Sequence, residues 1–343
     1  VDDARWMAAA LALGSRGRGR AAPNPNVGCV IVNDTASGGR VVGRGWTQPG
    51  GRPHAEAMAL AEAGDKSRGA TVYTTLEPCA HVSVRGPACS DLLQLASVAR
   101  VVIALGDPDP RTDGSGIARL REAGIAVDVG LRADEARSSM AGFLMRRTRA
   151  RPHVTLKLAL SLDGATALGS GLSKWITGPD ARAHAHLERA RHEAILVGRG
   201  TIEADDPALD VRLAGLESRA PRRILLSQTE KDGWERIATP HDIAALDGVD
   251  HLLVEGGAMT AAAFLAADLV DRLLLYRAPI LVGGGRTLPD IGLTDLAEAH
   301  GRWRISDART LGSDRLEVYE RVRDSAVPAK VGTGFAPGDG GKG

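Results

Sequence analysis

In the stretch GGRPHAEAMAL a histidine and a glutamate, His54 and Glu56, stand one residue apart, and in TTLEPCAHVSVRGPAC two cysteines, Cys79 and Cys89, follow. Imidazole and thiolate are donors that hold a transition metal, and a carboxylate beside them can move protons. The chain has 3 cysteines in 343 residues. A disulfide, a pair of buried thiols and a metal site are the uses open to Cys79 and Cys89. The opening VDDARWMAAALALG lacks the basic-then-apolar order of a secretory signal and reads as an amphipathic helix. A reducing, cytoplasmic setting is therefore expected, where metal and catalytic roles outrank disulfides.

His-x-Glu, then Pro-Cys, then a second Cys is the layout of the zinc nucleobase deaminases, where one His and two Cys hold the ion and the Glu shuttles protons. Three protein ligands leave a fourth position for water, whose pKa the metal lowers toward neutrality. Glu56 is then expected to take a proton from that water and pass one to the departing ammonia. Pro53 fits the first turn of a helix, which places His54 and Glu56 at its N-terminus. Cys79 follows Glu77-Pro78 at an expected strand-to-helix transition, where helix-end amides favour a thiolate. Cys29, in the apolar VGCVIV, reads as a buried core thiol. His81 and Arg85 lie between the metal cysteines, where substrate contact and plain solvation are equally open.

These groups need elements to position them. A chain this long suggests two domains, and 43% hydrophobic with 25% charged residues is ordinary for a soluble globular protein. Aromatics make up only 3%, so the cores must come from Ala, Val, Leu and Ile. The net charge of +1 leaves no footprint for a long polyanion and argues against nucleic acid. The longest apolar run, around GAMTAAAFLAA, is too short for a membrane span.

The first half alternates strand-like and helix-like stretches. VGCVIVND and GRVVGRGWT read as a hairpin, HAEAMALAEAG as a helix closed by Gly64, and ATVYTTLEP and RVVIALGDP as strands. A helix from about Ser90, another ending at REAG, and the strand IAVDVG complete an α/β layer. The basic helix end FLMRRTRARP, stopped by Pro152, reads as a solvated connector rather than a phosphate patch. The expected domains are 1–148 and 149–323, with a Gly-rich tail, 324–343, expected to be disordered.

HVTLKLALSLDG opens the second half with Val154, Leu156, Leu158 and Leu160 on one strand face and Lys157 on the other. EAILVG, RRILLS, HLLVEGG and RLLLYRAPILVGGG read as further strands, with PDARAHAHLERAR and AMTAAAFLAADL as helices. The amides after Glu255-Gly256-Gly257 make a natural phosphate seat at a helix start, although no G-x-G-x-x-G fingerprint is present. Lys157, with EADDPALDVR, hints at a polar pocket.

PNPNVGCVIV, PHAE, TLEPCAH, LKLALSLDG, WITG, ADDPALDVR and LLVEGG, in that order, resemble the bifunctional riboflavin-biosynthesis deaminase/reductase family from about residue 3 to 322. The resemblance implies a cytidine-deaminase-like α/β/α domain followed by a dihydrofolate-reductase-like α/β domain. The first would remove an amino group from a diaminopyrimidine ribosylamine phosphate, and the second would reduce ribosyl to ribityl with NADPH. It implies that His54, Cys79 and Cys89 hold Zn2+, that Glu56 moves protons, and that Asn24 and His81 line the deaminase pocket. In the reductase half, Ala159, Trp175, Thr201 and Asp205 match NADPH-contacting positions, as does Gly257, Ala258, Met259, Thr260, Ala261, Ala262 and Ala263. Ser173, Arg189, Leu209, Arg212 and Glu255 match the substrate side, where arginines suit a phosphate. Lys157 and Asp205 are the expected polar helpers of the hydride step. A homo-oligomer acting on a small phosphorylated pyrimidine, with no nucleic-acid or membrane partner, completes the expectation.

The chain departs from the family pattern in places. HVSVRGPAC replaces a loop that usually reads like HTGRTPPC, Thr47 stands where a His is expected, and Asp109 stands where DPNP would give Asn. An acid at 109 near a phosphate must be turned away or paired. The chain between RRILLSQ and HLLVEGG is shorter than the family norm. These departures keep two alternatives open: a reductase with a weakened or re-specified deaminase domain, and a non-catalytic zinc and nucleotide sensor whose fourth metal position His81 closes.

Overall fold

The structure, a computed structural model, describes residues 2–33 and 38–323. The first unit contains α1 (Asp3–Gly14), β1 (Gly28–Asn33), β2 (Arg40–Trp46), α2 (Ala55–Ala63), β3 (Thr71–Thr74), α3 (Cys89–Leu95), β4 (Arg100–Ile103), α4 (Ser115–Glu122), β5 (Ala126–Val129), α5 (Ala133–Ser139) and α6 (Ala141–Arg149). Its sheet runs β2-β1-β3-β4-β5, with β1 antiparallel to both neighbours and β3, β4 and β5 parallel.

Glycine placement sets the helix that carries the chemistry. Gly43 and Gly45 alternate with Val42 and Arg44 along β2, so both face the same side of the sheet. A Cβ on Gly43 would lie 2.1 Å from the Ala59 carbonyl oxygen, and one on Gly45 would lie 2.0 Å from that of Ala55. The buried small residues Ala55, Ala59 and Ala63 form the matching stripe on α2 at helical spacing. Together they let α2 ride directly on the strand. Its N-terminus is thereby held against the sheet.

The second unit contains β6 (His153–Leu160), α7 (Pro179–Arg189), β7 (Ala194–Gly198), α8 (Arg199–Asp205), β8 (Arg222–Leu226), β9 (Glu235–Ile237), β10 (His251–Val254), α9 (Ala258–Ala266), β11 (Arg272–Arg277), β12 (Trp303–Leu311) and β13 (Asp314–Arg321). Its sheet order is β12-β13-β11-β6-β10-β7-β8-β9. Strands β11, β6, β10, β7, β8 and β9 are parallel, and β13 and β12 join antiparallel at one end. The chain leaves β6 toward β7 and β8, then returns to place β10 between β6 and β7. Such a reversal opens a crevice at the carboxyl ends of the strands. The core beneath it is aliphatic: Val154, Leu156, Leu158, Leu196, Leu252 and Val254 are all buried.

Four local expectations need correction. Helix α2 starts at Ala55 with His54 as its N-cap residue, so Pro53 precedes the cap and is not in the first turn. Cys79 lies in a loop, and Cys89 is the residue that opens α3. RLLLYRAPILVGGG is a strand only to Arg277, because β13 pairs with Arg272 to Arg277 and beyond them only scattered bonds, such as Ala278 N–H to Leu160 O, replace the ladder. The basic run is not a solvated connector. Arg146 donates to the carbonyls of Ala244, Leu246 and Val249, Arg147 pairs with Asp109, and Arg151 forms a buried fork with Asp271 at 2.6 and 2.8 Å. Arg146 reaches across the junction to carbonyls of the second unit, Arg147 stays within the first unit, and Arg151 ties the entry of the chain into the second unit to the residue before β11. The Gly-rich tail lies outside the described residues. Among the described residues, no helix is long and apolar enough to cross a membrane.

Candidate active sites

His54, Cys79 and Cys89 converge: their donor atoms all lie within 4.8 Å of one another. His54 reaches the group from the α2 N-cap, Cys79 from the loop after β3, and Cys89 from the first residue of α3. Nδ1 of His54 lies 3.3 Å from Cys89 Sγ and 3.5 Å from Cys79 Sγ, while its Nε2 faces the Asn24 amide at 3.1 Å. That amide is anchored by donating to Gly51 O at 2.8 Å. The backbone N–H of Cys89, at the start of α3, donates to Cys79 Sγ at 3.3 Å. The helix-end amide thus serves Cys79 from across the site. The Cys89 hydrogen bond, with His54 adding to it against the pull of burial, holds the Cys79 thiol well below its usual range. The same bond and burial push Cys89 up. One nitrogen and two sulfurs, nearly buried and facing a common point, fit a tetrahedral zinc ion with one open position.

Glu56, one residue into α2, is buried beside this group and accepts from Thr74 Oγ1 at 3.3 Å. Burial raises its pKa, with His54 partly opposing. Both line a narrow cleft of about 50 Å3 with Asn24, Thr47, His81 and Asp109. His81 stands outside the donor group among the described residues, and its buried Nδ1 has no partner. The closed fourth position required by the sensor alternative is therefore missing. Cys29 is fully buried in β1 and stays apart from the metal donors. Arg85 donates to Gly50 O at 2.7 Å, which ties the loop between the cysteines to the cleft rim.

The departures have physical partners. The Asp109 carboxylate is gripped by Arg111 at 2.9 and 2.7 Å and lies 3.2 Å from Arg147. Bonding to Arg111 holds its pKa well below the usual carboxylate range. Asp109 is thus paired, as its position demanded. Thr47 accepts the Val27 N–H at 3.0 Å and is buried.

Sequence reasoning missed Glu77, Asp107, Arg111, Arg147 and Phe143 as contributors to this cleft. Glu77 accepts from the amides of Asp107, Gly114 and Ile117 at 3.1–3.2 Å, so the motif glutamate pins the loop that supplies Asp109 and Arg111. Its place in LEPC was the available signal. Arg147 was concealed by lying in a charge run.

In the second unit, the register Val254↔Leu156 brings Glu255 beside Lys157 at the crevice. Lys157 Nζ lies 3.3 Å from Glu255 Oε1, and Arg189 of α7 grips Glu255 at 2.8 and 2.9 Å. Burial would push the Glu255 carboxyl up, but Lys157 and Arg189 outweigh it and lower the pKa to about 2. Arg189 also donates to Asp210 O at 3.0 Å, so its guanidinium is already engaged and Arg212, which is exposed, is the freer cation. Ala159 follows Lys157 on the same strand face and pairs with Tyr276.

Asp205 is not beside Lys157. It pairs instead with Lys174 at 3.1 Å and braces the segment carrying Ser173 and the exposed Trp175. Leu209 packs with Ile195, Val197, Ile202 and Leu253, which commits its side chain to the core. Thr201 Oγ1 accepts the Gly257 N–H at 3.2 Å, and no side chain caps the start of α9. Gly257 and Met259 are exposed there and Ala258 and Ala263 are half-buried, whereas Thr260, Ala261 and Ala262 turn into the fold. Uncapped amides behind two glycines fit a dinucleotide phosphate. Arg199, Ile202, Glu203, Asp206, Leu225 and Lys231 line an adjoining cavity of about 190 Å3. Between β8 and β10, the shortened stretch retains one short strand, β9.

Residues 1–105 match the cytidine and deoxycytidylate deaminase zinc-binding region, and residues 152–238 and 242–316 match the RibD C-terminal domain. Riboflavin biosynthesis protein RibD of Escherichia coli (strain K12) is 40% identical over 367 residues, covering 92% of this chain and 98% of that protein. Its counterpart in Mycobacterium tuberculosis (strain ATCC 25618 / H37Rv) is 38% identical over 333 residues, covering 92% and 96%. The solved structure of Acinetobacter baumannii RibD superposes with a TM-score of 0.83 at 34% identity, over 94% of this chain and 99% of that one. The diaminohydroxyphosphoribosylaminopyrimidine deaminase/5-amino-6-(5-phosphoribosylamino)uracil reductase of Thermotoga maritima superposes with a TM-score of 0.82 at 30% identity, over 93% and 99%.

Proposed function

Since the chain belongs to the RibD family of bifunctional riboflavin-biosynthesis enzymes, a zinc-dependent deaminase joined to an NADPH-dependent reductase, we propose which of its residues perform each half of the reaction. The first unit, to about residue 148, holds zinc through His54, Cys79 and Cys89. When bound, the ion supplies electrophilic charge and lowers the pKa of water toward neutrality. Glu56 takes a proton from the attacking water at its carboxylate and delivers one to the leaving amine. Asn24 orients His54, and His81 offers its unpartnered nitrogen to the pyrimidine. Arg111 and Arg147, already balanced by Asp109, face the substrate's phosphate with their remaining N–H groups. The observation that carries this half is the buried Glu56 beside three converging donors.

In the second unit, from about residue 149, the amides at Gly257 and Ala258 seat the cofactor's phosphates, with Thr201, Ala159 and Trp175 along its length. NADPH supplies the hydride when bound. Lys157, polarised by Glu255, donates a proton or hydrogen bond to the ribosyl group as it is reduced. Arg212 and Ser173 receive the substrate. Asp205 acts through Lys174 as a positioning residue.

The substrate is a small phosphorylated pyrimidine, such as the Thermotoga relative's name describes, and the net charge of +1 supports this over nucleic acid. Three free thiols support a reducing cytoplasm. The exposed edge strand β12 supports pairing with a second copy. Supplying the diaminopyrimidine ribosylamine phosphate to zinc-loaded protein, and following ammonia and NADPH separately, tests the assignment. Ammonia without NADPH, then oxidation on its addition, is expected. Oxidation only of pre-deaminated substrate would instead favour a disabled or redirected deaminase domain.

A further inference from the structure

Beside the deaminase cleft runs a second, wider groove of about 330 Å3 lined by Arg16, Arg20, Trp46, Gln48, Pro49 and Arg219, with Gly17 at its base. Thr47 lines both the groove and the cleft. The groove crosses the junction of the two units: Arg16 and Arg20 flank the turn after α1, whereas Arg219 ends the loop that follows α8. Gly19, with φ +78°, lets that turn press onto the second unit, since a Cβ there would lie 2.7 Å from the Arg191 backbone.

Among the described residues, Arg16, Arg20 and Arg219 form no ion pair, although most other arginines near the junction do. Arg16 lies over the Trp46 ring, 5.0 Å from its centroid. Burial, with the nearby Arg20 and Arg191 adding to it, lowers the Arg219 pKa. Unpaired guanidinium groups around an aromatic face suit a phosphate attached to a planar heterocycle.

The groove adjoins the deaminase cleft through Thr47 and extends onto the second unit through Arg219. Arg20 O accepts the Gly50 N–H at 2.9 Å, and the neighbouring Gly51 holds Asn24 against His54. On the other side, Arg212 and Arg219 lie on one loop, separated by at most about 25 Å of chain.

We propose that this groove receives the phosphate of the deaminated pyrimidine as it passes from the first site to the second. The inference rests on the two activities assigned above, and it concerns binding only. The shared ligand chemistry is a phosphate monoester on a heterocycle, and a free nucleotide would offer the same groups.

The test uses the full-length, zinc-loaded protein and Arg20→Gln/Arg219→Gln, two substitutions outside both catalytic clefts. Ammonia release, and NADPH oxidation on separately supplied deaminated phosphate, each stay within about twofold of wild type. When only the diamino substrate is supplied, the lag before steady NADPH oxidation lengthens about threefold or more, with a matching rise in intermediate free in solution. Arg20→Lys/Arg219→Lys, which keeps the charge, shortens the lag again. Uridine 5′-monophosphate quenches Trp46 fluorescence, referenced to Trp46→Phe, and binds the Gln variant about tenfold more weakly.

An unchanged lag overturns the transfer role, and weakened nucleotide binding alongside it would identify a free nucleotide as the occupant. Loss of both separate reactions in folded variant also overturns the proposal, because the groove would then belong to an active site. A wild type that releases no ammonia defeats the activity assignment instead. The nucleotide arm then still decides the groove, and equal affinity for wild type and the Gln variant sinks it.

Discussion

At the residue scale, Glu56 and Asp107 show how one environment, burial, does different work on two carboxyls. Glu56→Gln removes the proposed proton carrier but leaves His54, Cys79 and Cys89 in place. Zinc content is expected to stay at the wild-type level while ammonia release falls by about 10²–10⁴. NADPH oxidation on pre-deaminated substrate continues. Loss of both reactions in a folded variant would count against two separate sites.

Asp107 is raised to about 7, first by burial and then by its acidic neighbours Asp109 and Glu77. Its folded pKa lies above its unfolded one, so its contribution to stability is whole below about pH 4 and is lost as the pH rises through 7. Asparagine at 107 can still accept the Asp109 N–H through Oδ1. Asp107→Asn should match wild type near pH 4 and exceed it at pH 8 by on the order of 2 kcal/mol. Thermal melts at the two pH values decide this, and equal melting at pH 8 would show the group ionises freely.

At the element scale, the loop between β4 and α4 depends on Glu77. Its carboxylate satisfies three amides, two of them at the start of α4, where no side-chain cap is present. Gly116 allows the close approach this needs, since a Cβ there would meet Pro78 O at 2.0 Å. Glu77→Ala leaves those amides without a buried acceptor, at about 1–3 kcal/mol. It should also release Asp109 and Arg111, so the deaminase KM is expected to rise more than kcat falls. Zinc content should be unchanged. A fall in kcat alone would mean the glutamate acts on the reaction rather than on the loop.

At the scale of the whole molecule, the junction between units is polar and buried. Beside it, where the chain enters the second unit, Arg151 forks onto Asp271 of that same unit, and Asp271 also accepts the Val154 N–H at 2.9 Å. Asp271→Asn leaves Arg151 without its counter-charge, and a loss of about 3–5 kcal/mol is expected by denaturant unfolding. A loss below about 1 kcal/mol would place the pair among ordinary surface bridges.

His153, His192 and His251 share that junction, with ring centroids 6.1 Å apart in the two neighbouring pairs. Burial lowers His153 and His192 to about 3 and holds His251 well below its usual range. Each depressed pKa means stability that is whole above about pH 6.5 and is lost as the pH falls through the folded value. Near pH 5, unfolding should therefore take up about three protons through these groups, a slope of roughly 4 kcal/mol per pH unit. Stability measured against pH between 6.5 and 4.5 checks it. Asp107 and Asp250, raised to about 7 and about 6, release protons on unfolding over the same range. The histidine contribution is therefore read from the difference between wild type and His192→Gln, and an unchanged slope would mean that histidine is hydrated in the folded state.

The amino-acid sequence by itself determined which His and Cys residues converge, which carboxyl stands in the same motif, and the alternation of strands and helices. Those features are local: a donor type is visible in a letter, and a strand's period of two is visible in its neighbours. LKLALSLDG placed Lys157 opposite the leucines for that reason. Tertiary structure decided what those residues meet. It set Glu255 and Arg189 beside Lys157 and moved Asp205 away to Lys174, because strand register and helix placement are long-range pairings. It gave Arg146, Arg147 and Arg151 fixed partners in place of solvent, Arg146 across the junction and the other two within their own units, since a cation's partner lies wherever folding leaves an uncompensated acid or carbonyl. It also paired Asp109 with Arg111, which no spacing rule for an isolated acid could have settled.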